Sequence, residues 1–182
     1  MTATGIVRRI DDLGRVAIPK EIRHTLHIRE GDPLEIFTME DGSIILKKCS
    51  ALGDLTDFAS GYAESLAKAS GHPTFITDRD AIVAVSGAPK RDFLSKRISR
   101  NLEDVMEERS TVVVQSKSEG LIPILENDEH RYTSQVITPI IVHGDAIGSV
   151  IIYEDEGKTP LGEVEKKLTQ SAAGVLEKQL EQ

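Results

Sequence analysis

Residues 5–23 read GIVRRIDDLGRVAIPKEIR, and this stretch predicts two strands, a turn and the start of a helix. Residues 5–10 and 15–18 are short runs rich in β-branched side chains, and residues 11–14 between them end in a glycine that tolerates a positive φ. We therefore expect a β-hairpin here. Pro19 suits the first position of a helix, because its missing N–H costs nothing there, and the helix should run to about His27.

A second hairpin is predicted after the helix, with strands at residues 34–38 and 43–48 around the turn Asp41-Gly42. Four strands and one helix in about 50 residues have too little apolar volume to form a closed core. The first strand also lacks a single apolar face, since Ile6 and Arg8 share one side and Val7 lies on the other. We expect both hairpins to pair with those of a second subunit.

Charge is distributed unevenly along the chain. The 182 residues have a formal net charge of −8. Residues 1–50 carry eight Lys/Arg against eight Asp/Glu, and residues 51–182 carry fourteen against twenty-two. Within residues 1–29 the balance is six basic against three acidic side chains. A basic segment before an acidic body indicates that the first part binds a polyanion although the whole chain is acidic.

The basic side chains cluster around the first turn and helix. At about 100° per residue, one side of the predicted helix collects four of them. These are Lys20, Arg23, His24 and His27. Arg8 and Arg15 flank the turn, with Arg9 adjacent. A guanidinium can grip a phosphate, or the O6/N7 edge of guanine, with two hydrogen bonds. From the residues alone an ordinary solvated surface stays open as the alternative, with these cations paired to nearby carboxylates, namely Asp11, Asp12 and Glu21.

The first 48 residues resemble the AbrB-type transition-state regulators of spore-forming bacteria. The resemblance is carried by residues 4–23, by 31–36 (GDPLEI) and by 44–48 (IILKK). It implies a swapped-hairpin β-barrel dimer, in which two chains interleave and present arginines to double-stranded promoter DNA. Family members repress or activate at promoters of loose consensus, which fits phosphate contacts and DNA deformability better than a rigid base code.

The arginines that the resemblance implies are Arg8, Arg15 and Arg23. The family commonly has a further arginine where this chain has His24, and histidine is mostly neutral at pH 7, so a phosphate contact there would depend on pH. Lys20 and Arg9 join the set because of their placement. The predicted DNA-binding residues are Arg8, Arg9, Arg15, Lys20, Arg23 and His24.

The remainder, residues 51–182, predicts an α+β domain. Strands are expected at 74–77, 82–86, 111–115, 121–125, 136–142 and 146–153, a charged helical segment at 93–108, and a closing helix at 161–180. The chain resembles regulators that join an AbrB-type domain, here 1–50, to a GAF-like α/β sandwich with an antiparallel sheet, here 51–182. This implies assembly into a homotetramer and a site for a small-molecule ligand, which no residue identifies.

An apolar stripe at heptad spacing begins this second part. It consists of Leu52, Leu55, Ala59, Tyr62, Leu66 and Ala69. The stripe predicts either a helix that packs on its own domain core or one that packs against another subunit. A stripe of this length leaves both alternatives open.

Farther along the chain, Gly148 is expected to mark a bend in the sheet rather than the close approach of a ligand.

Several function classes are disfavoured by the sequence. Because the chain has a single cysteine, Cys49, we expect no disulfide and no cysteine metal site. The chain also lacks the several cysteines that sulfoxide-reducing relatives of the GAF fold need. The three later histidines, His72, His130 and His143, are too far apart for a local metal motif and are expected in loops or at the surface. We expect no metal, no cofactor and no enzymatic activity.

Two further expectations concern rivals and location. A DNA-binding antitoxin shares the first domain, but its toxin-wrapping tail is usually disordered, and residues 51–182 are too apolar and too regular for that. The start has no basic patch before an apolar stretch, and no apolar run approaches the roughly 20 residues of a membrane span. The sequence therefore predicts a cytoplasmic protein that does not enter a membrane.

Overall fold

The structure, a computed structural model, describes residues 5–26, 28–49, 52, 55–116, 120–129, 132–155 and 160–181. The chain divides into two compact units, Met1–Cys49 and Ser50–Gln182. Within the described ranges no helix has both the length and the apolar character needed to cross a membrane.

The first unit contains one short helix and one hairpin. Helix α1 spans Lys20–Thr25, and strands β1, Leu34–Thr38, and β2, Ile44–Lys48, pair antiparallel. The turn between the strands contains Gly42 at φ 82°, a conformation that glycine adopts without steric cost. The second predicted hairpin is thus confirmed, while α1 is shorter than predicted, and His27 lies outside the described residues.

The first predicted hairpin is only partly present. The turn forms, with Gly14 at φ 76° and its N–H bonded to the carbonyl of Asp11 at 3.0 Å. The N–H of Asp11 bonds the carbonyl of Arg15 at 3.0 Å. However, residues 5–10 and 15–18 are not strands in this structure, so that part of the prediction is wrong for the single chain. Two isolated strands are marginal in water, and a ladder needs further partners.

The second unit is built on one antiparallel sheet. Its strands are β3 Thr74–Asp78, β4 Ile82–Ser86, β5 Val112–Val114, β6 Ser134–Val142 and β7 Asp145–Glu154. They lie in the order β4-β3-β7-β6-β5. The helices are α2 Thr56–Ser70, α3 Lys90–Phe93, α4 Arg100–Glu107 and α5 Glu163–Leu180. The predicted α+β class is therefore confirmed.

Alternation along the strands separates two buried layers. Phe75 and Ile151 face a layer completed by α3, α4 and the loops after them, whereas Ile76 and Val150 face the helices α2 and α5. Successive strand side chains point to opposite faces, so each strand contributes to both layers. Both faces of the sheet are covered.

The stripe of α2 packs inside its own unit. Ala59, Ala63 and Leu66 are buried together with Ile76 and Ala84 of the sheet. Of the two alternatives left open by the heptad spacing, the structure shows the helix on its own domain core. Leu52, Ala59 and Leu66 of the stripe are buried in this core, while Ala69 is exposed.

Three predicted elements have different bounds. The charged segment 93–108 contains α4, which Ser99 caps by accepting the N–H of Leu102, and the turn before it passes through Ser95 at φ 60°. Residues 121–125 are not a strand and make only an isolated bridge, from Leu125 to Ile98. The closing helix begins at Glu163, two residues later than predicted.

Gly148 lies in β7 opposite Asp78 of β3. A Cβ at this position would sit 2.0 Å from the carbonyl oxygen of Thr77 and 2.6 Å from Cδ1 of Leu52. The register of β6 against β7 shifts next to it, between Ile140 and Ile141. Glycine is needed here because backbone and a packed side chain occupy the space of any larger residue.

Candidate nucleic-acid interface

The turn at residues 11–14 is organised by the carboxylate of Asp11. Its Oδ1 accepts the N–H groups of Leu13 at 3.0 Å and of Arg15 at 2.8 Å. Its Oδ2 accepts Nε–H of Arg15 at 2.9 Å. Aspartate favours such turns because its short side chain reaches backbone donors two residues on. One carboxylate thus fixes both the backbone and the guanidinium of Arg15.

These hydrogen bonds lower the pKa of Asp11 below its usual value. The backbone N–H of Arg15 is the largest cause of the lowered pKa. Desolvation, second in size, opposes it, and the Arg15 guanidinium and the Leu13 N–H lower the pKa further. The Arg15 side chain nevertheless remains 71% exposed. The ion pair predicted by the solvated-surface alternative therefore exists, but it leaves Arg15 accessible to a ligand.

Helix α1 presents the next basic side chains. Pro19 precedes the helix and is buried, and its carbonyl accepts the N–H of Arg23 at 2.9 Å. Lys20, Arg23 and His24 are exposed, while Ile22 is half-buried. The 3.6-residue period thus sets the basic side chains apart from Ile22, while Leu26, which follows the helix, is 58% exposed.

The six predicted residues all lie on the surface of the first unit. Lys20, Arg23 and His24 share α1, Arg15 follows the turn, and Arg8 and Arg9 lie in the exposed segment before it. Their roles as DNA contacts stay a prediction.

Two structural carboxylates were not identified from the sequence. Asp11 was considered only as a possible salt-bridge partner. The side chain of Asp32, 1% exposed, accepts the N–H of Arg29 at 2.8 Å and pairs with Nζ of Lys48 at 3.1 Å, which fastens the loop before β1 to the end of β2. The sequence signal for this loop is the pair Gly31-Asp32, which is typical of a turn. In the structure Gly31 has a φ of 85°.

The first unit also exposes apolar side chains. Val7 is 87% exposed and Ile10 69%. A groove of about 340 Å³ is lined mainly by apolar residues, among them Ile6, Val16, Ile22, Leu26 and Leu46. Exposed apolar patches of this kind mark surfaces that a partner covers.

The described histidines of the second unit, His72 and His143, lie in different loops. His143 is exposed at the β6–β7 turn, as predicted, and His130 lies outside the described residues. His72 lies in the loop before β3, as predicted, but not at the surface: its side chain is 16% exposed and its Nδ1 lies 3.0 Å from Oε2 of Glu154. The described part of the chain contains no group of three or more metal-ligating side chains.

Aromatic side chains fill one layer of the second unit. Tyr153 contacts Phe75 and Tyr132, both with ring centroids 5.0 Å apart. The hydroxyl of Tyr132 donates to Oδ2 of Asp128 at 2.8 Å, and that oxygen also accepts the N–H of Ile124 at 2.8 Å. The layer is a packed core with a satisfied polar edge.

Two family models match the chain. Residues 54–181 match the model described as stage V sporulation protein T C-terminal, transcription factor. Residues 7–50 match the model described as antidote-toxin recognition MazE, bacterial antitoxin.

Two relatives from Bacillus subtilis (strain 168) extend these matches. Stage V sporulation protein T is 52% identical over 183 residues, which covers 100% of both chains. The transition state regulatory protein AbrB is 51% identical over 63 residues, 31% of this chain and 65% of that protein. The resemblance expected from the first 48 residues is thus confirmed.

Solved structures identify the fold of the second unit. The GAF domain of an Acinetobacter phosphoenolpyruvate-protein phosphotransferase superimposes with a TM-score of 0.59 at 14% identity, over 70% of this chain and 82% of that one. Such low identity shows the fold alone. The expected GAF fold is confirmed.

Proposed function

The chain belongs to the stage V sporulation protein T family, and from this premise we propose that it is a transcription regulator of sporulation genes that acts both as activator and as repressor. Residues 1–50 bind double-stranded promoter DNA, and residues 51–182 assemble the subunits. The observation that carries DNA binding is the exposure of five Arg and Lys side chains on the unit that resembles AbrB, namely Arg8, Arg9, Arg15, Lys20 and Arg23.

We infer that the DNA-binding form is a swapped-hairpin dimer. Residues 5–10 and 15–18 carry β-branched side chains but form no ladder with the described part of the chain, and Val7 and Ile10 are exposed. Pairing with the hairpins of a second subunit would satisfy the backbone and cover these side chains. In the dimer each subunit contributes its own copy of every basic side chain to one surface. A homotetramer forms when the second units of two dimers associate.

The binding mode is predominantly electrostatic. Arginine and lysine contacts to phosphates position a protein on DNA without a sequence code, which agrees with a loose consensus. The acidic surplus of residues 51–182 keeps the whole protein from binding polyanions indiscriminately. His24 contributes charge only when it is protonated.

The test is a gel-shift titration of the full chain on a promoter fragment. Arg23→Ala and Arg15→Ala should each weaken binding, while sedimentation shows the oligomer unchanged. Lys96→Ala, which removes an exposed cation from the second unit, is the matched control and should bind like the wild type. Equal affinities for all four proteins would refute the proposed interface.

A second candidate function is that of a DNA-binding antitoxin, favoured by the family model matched by residues 7–50. An antitoxin uses a segment that folds on its toxin. Here residues 54–181 match a transcription-factor model and adopt a GAF fold. The regulator is therefore preferred, and a toxin copurified from the host in stoichiometric amount would favour the antitoxin.

The remaining parts of the proposal concern location and ligands. We place the protein in the cytoplasm, where promoter DNA is available, and assign it no catalytic activity. Small-molecule sensing by the second unit is a hypothesis taken from the GAF resemblance. Native mass spectrometry of protein purified from its own host reports subunit number and retained ligands together.

A further inference from the structure

The carboxylate of Asp11 holds Arg15 in one orientation. It binds the Arg15 backbone N–H at 2.8 Å and Nε–H at 2.9 Å, while the Asp11 N–H bonds the Arg15 carbonyl at 3.0 Å. The turn between them is closed by the bond from Gly14 to Asp11. The same carboxylate therefore restrains both the backbone and the guanidinium of Arg15 before any ligand arrives.

The constraint leaves the outer part of the guanidinium available. Arginine has five N–H donors. Within the described residues one of them, on Nε, is used by Asp11, so the N–H groups on Nη1 and Nη2 stay available on a side chain that is 71% exposed. A guanidinium fixed in advance loses less conformational entropy when it binds than one on a freely rotating side chain.

The same carboxylate makes Arg15 a poor phosphate contact. A phosphate contact gains its free energy from net positive charge and released counterions. Asp11, paired at 2.9 Å, offsets that charge and adds its own repulsion. The O6/N7 edge of guanine carries no net charge and is recognised by two parallel N–H donors. A guanidinium paired with Asp11 can therefore still donate both hydrogen bonds to guanine.

We propose that Asp11 is a positioning residue that presets Arg15 to read a guanine edge, which makes this pair the sequence-specific element of an otherwise phosphate-binding surface. This inference rests on the proposed DNA binding. It assigns Arg15 a different task from Arg23, which has no carboxylate contact within the described ranges, and it explains why an acidic side chain lies within a basic surface.

The test uses the full chain and two duplexes of equal length, a promoter fragment and a scrambled sequence. Asp11→Asn keeps an oxygen that accepts the Leu13 and Arg15 N–H groups but places an amide donor against Nε of Arg15. Asp12→Asn removes the same charge one residue away and is the matched control. By charge alone, both variants should bind scrambled DNA more tightly than the wild type.

The expected result separates the two variants. Asp11→Asn should lower the ratio of promoter to scrambled affinity about fivefold or more, since a bidentate base contact is worth about 1–3 kcal/mol. Asp12→Asn should leave the ratio unchanged. In an Arg15→Ala background Asp11→Asn should change the ratio no further, because Asp11 acts through Arg15.

A second variant tests the inference in case Asp11→Asn disrupts the turn at residues 11–14. Arg15→Lys keeps the charge and the Asp11 carboxylate but lacks the planar guanidinium fork. It should therefore lower the ratio of promoter to scrambled affinity while binding scrambled DNA as tightly as the wild type. Equal ratios for Asp11→Asn and Asp12→Asn, a ratio kept by Arg15→Lys, or loss of scrambled binding by Asp11→Asn would each overturn the inference. Failure of the wild type to bind either duplex would instead refute the proposed function.

Discussion

Nδ1 of His72 lies 3.0 Å from Oε2 of Glu154, although the two residues are 82 positions apart in the sequence. His72 stands before β3 and Glu154 ends β7, so the contact extends the β3–β7 pairing beyond its last ladder position, Thr74 opposite Ile152. Because a carboxylate only accepts hydrogen bonds, Nδ1 is the donor. The side chains are 16% and 6% exposed, so water screens the pair poorly.

This pair should couple strongly in a double-mutant cycle. His72→Ala and Glu154→Ala should each lower the free energy of unfolding, and the double variant should cost about 1–2 kcal/mol less than their sum. Urea unfolding of the four proteins measures the coupling. The exposed pair Glu64 and Lys68 serves as control and should show a smaller coupling, since exposed ion pairs contribute little. Additive costs at His72 and Glu154 would contradict the structure.

Alanine at two glycines should have opposite effects. Gly148→Ala should destabilise the protein by roughly 3 kcal/mol or more, because the Cβ would meet backbone of β3 that cannot move away alone. Gly174→Ala in α5 has open space at the Cβ and should stabilise the protein by about 0.5–1 kcal/mol through helix propensity. Thermal unfolding measures both. If Gly148→Ala left the thermal unfolding unchanged, β3 and β7 would have to lie farther apart than they do in this structure.

Alkaline pH should destabilise the protein through its buried tyrosines. Burial raises the pKa of Tyr132 above the ordinary 10.0, and its hydrogen bond to Asp128 raises it further. Burial also raises the pKa of Tyr153, with nearby carboxylates adding to the effect. As the pH rises past 10, unfolded tyrosines lose protons that the folded protein retains, so stability falls.

The measurement is tyrosinate absorbance against pH, run beside unfolding. Tyr132→Phe should weaken the fall in stability above pH 10, and should cost about 1 kcal/mol at neutral pH because Asp128 loses a donor. Ionisation of all three tyrosines in the folded protein at their ordinary pKa would contradict this arrangement.

The carboxyl group of Asp11 should titrate below the ordinary aspartate pKa of 3.8. Since its pKa is depressed in the folded turn, the carboxylate stabilises the turn above pH 3.8, and this contribution is lost as the pH falls through the folded pKa. NMR titration of the full chain measures it. In Arg15→Ala the pKa should rise only partly, because the Arg15 backbone N–H, the largest cause, remains. A full return to 3.8 would assign the effect to the guanidinium instead.

Affinity for promoter DNA should fall steeply with salt. The slope of log affinity against log salt is roughly 0.9 for every phosphate neutralised, and Arg23→Ala should reduce it by about that amount for each phosphate that Arg23 neutralises. Filter binding over a range of salt concentrations measures the slope, with Lys96→Ala as control. A slope that Arg23→Ala leaves unchanged would mean that Arg23 does not contact phosphate.

Much of the fold could be predicted because it depends on local chemistry. Strand-like runs rich in β-branched residues predicted β6 and β7 within about two residues of their observed bounds, and Pro19 and Gly42 marked a helix start and a turn. The bounds were less accurate at 121–125, where apolar residues follow one another without a ladder partner beyond the bridge at Leu125. Short apolar runs do not by themselves distinguish strands from buried loops.

The candidate interface could be predicted only as a set of residues. Exposure of Lys20, Arg23 and His24 on one helix follows from the 3.6-residue period. The task of Asp11 did not follow, because a carboxylate beside an arginine in sequence has many conformations, and only the closed turn brings both of its oxygens onto Arg15.

The sequence by itself determined the hairpin at residues 34–48, five strands of the second unit, the positions of the turns and the basic character of the first unit, since these depend on residues within one turn or strand of each other. The tertiary structure alone decided that α2 covers its own sheet, that the half-buried His72 contacts Glu154 and that residue 148 has no room for a side chain. Those features depend on segments far apart along the chain, whose spacing and orientation only the packed sheet fixes.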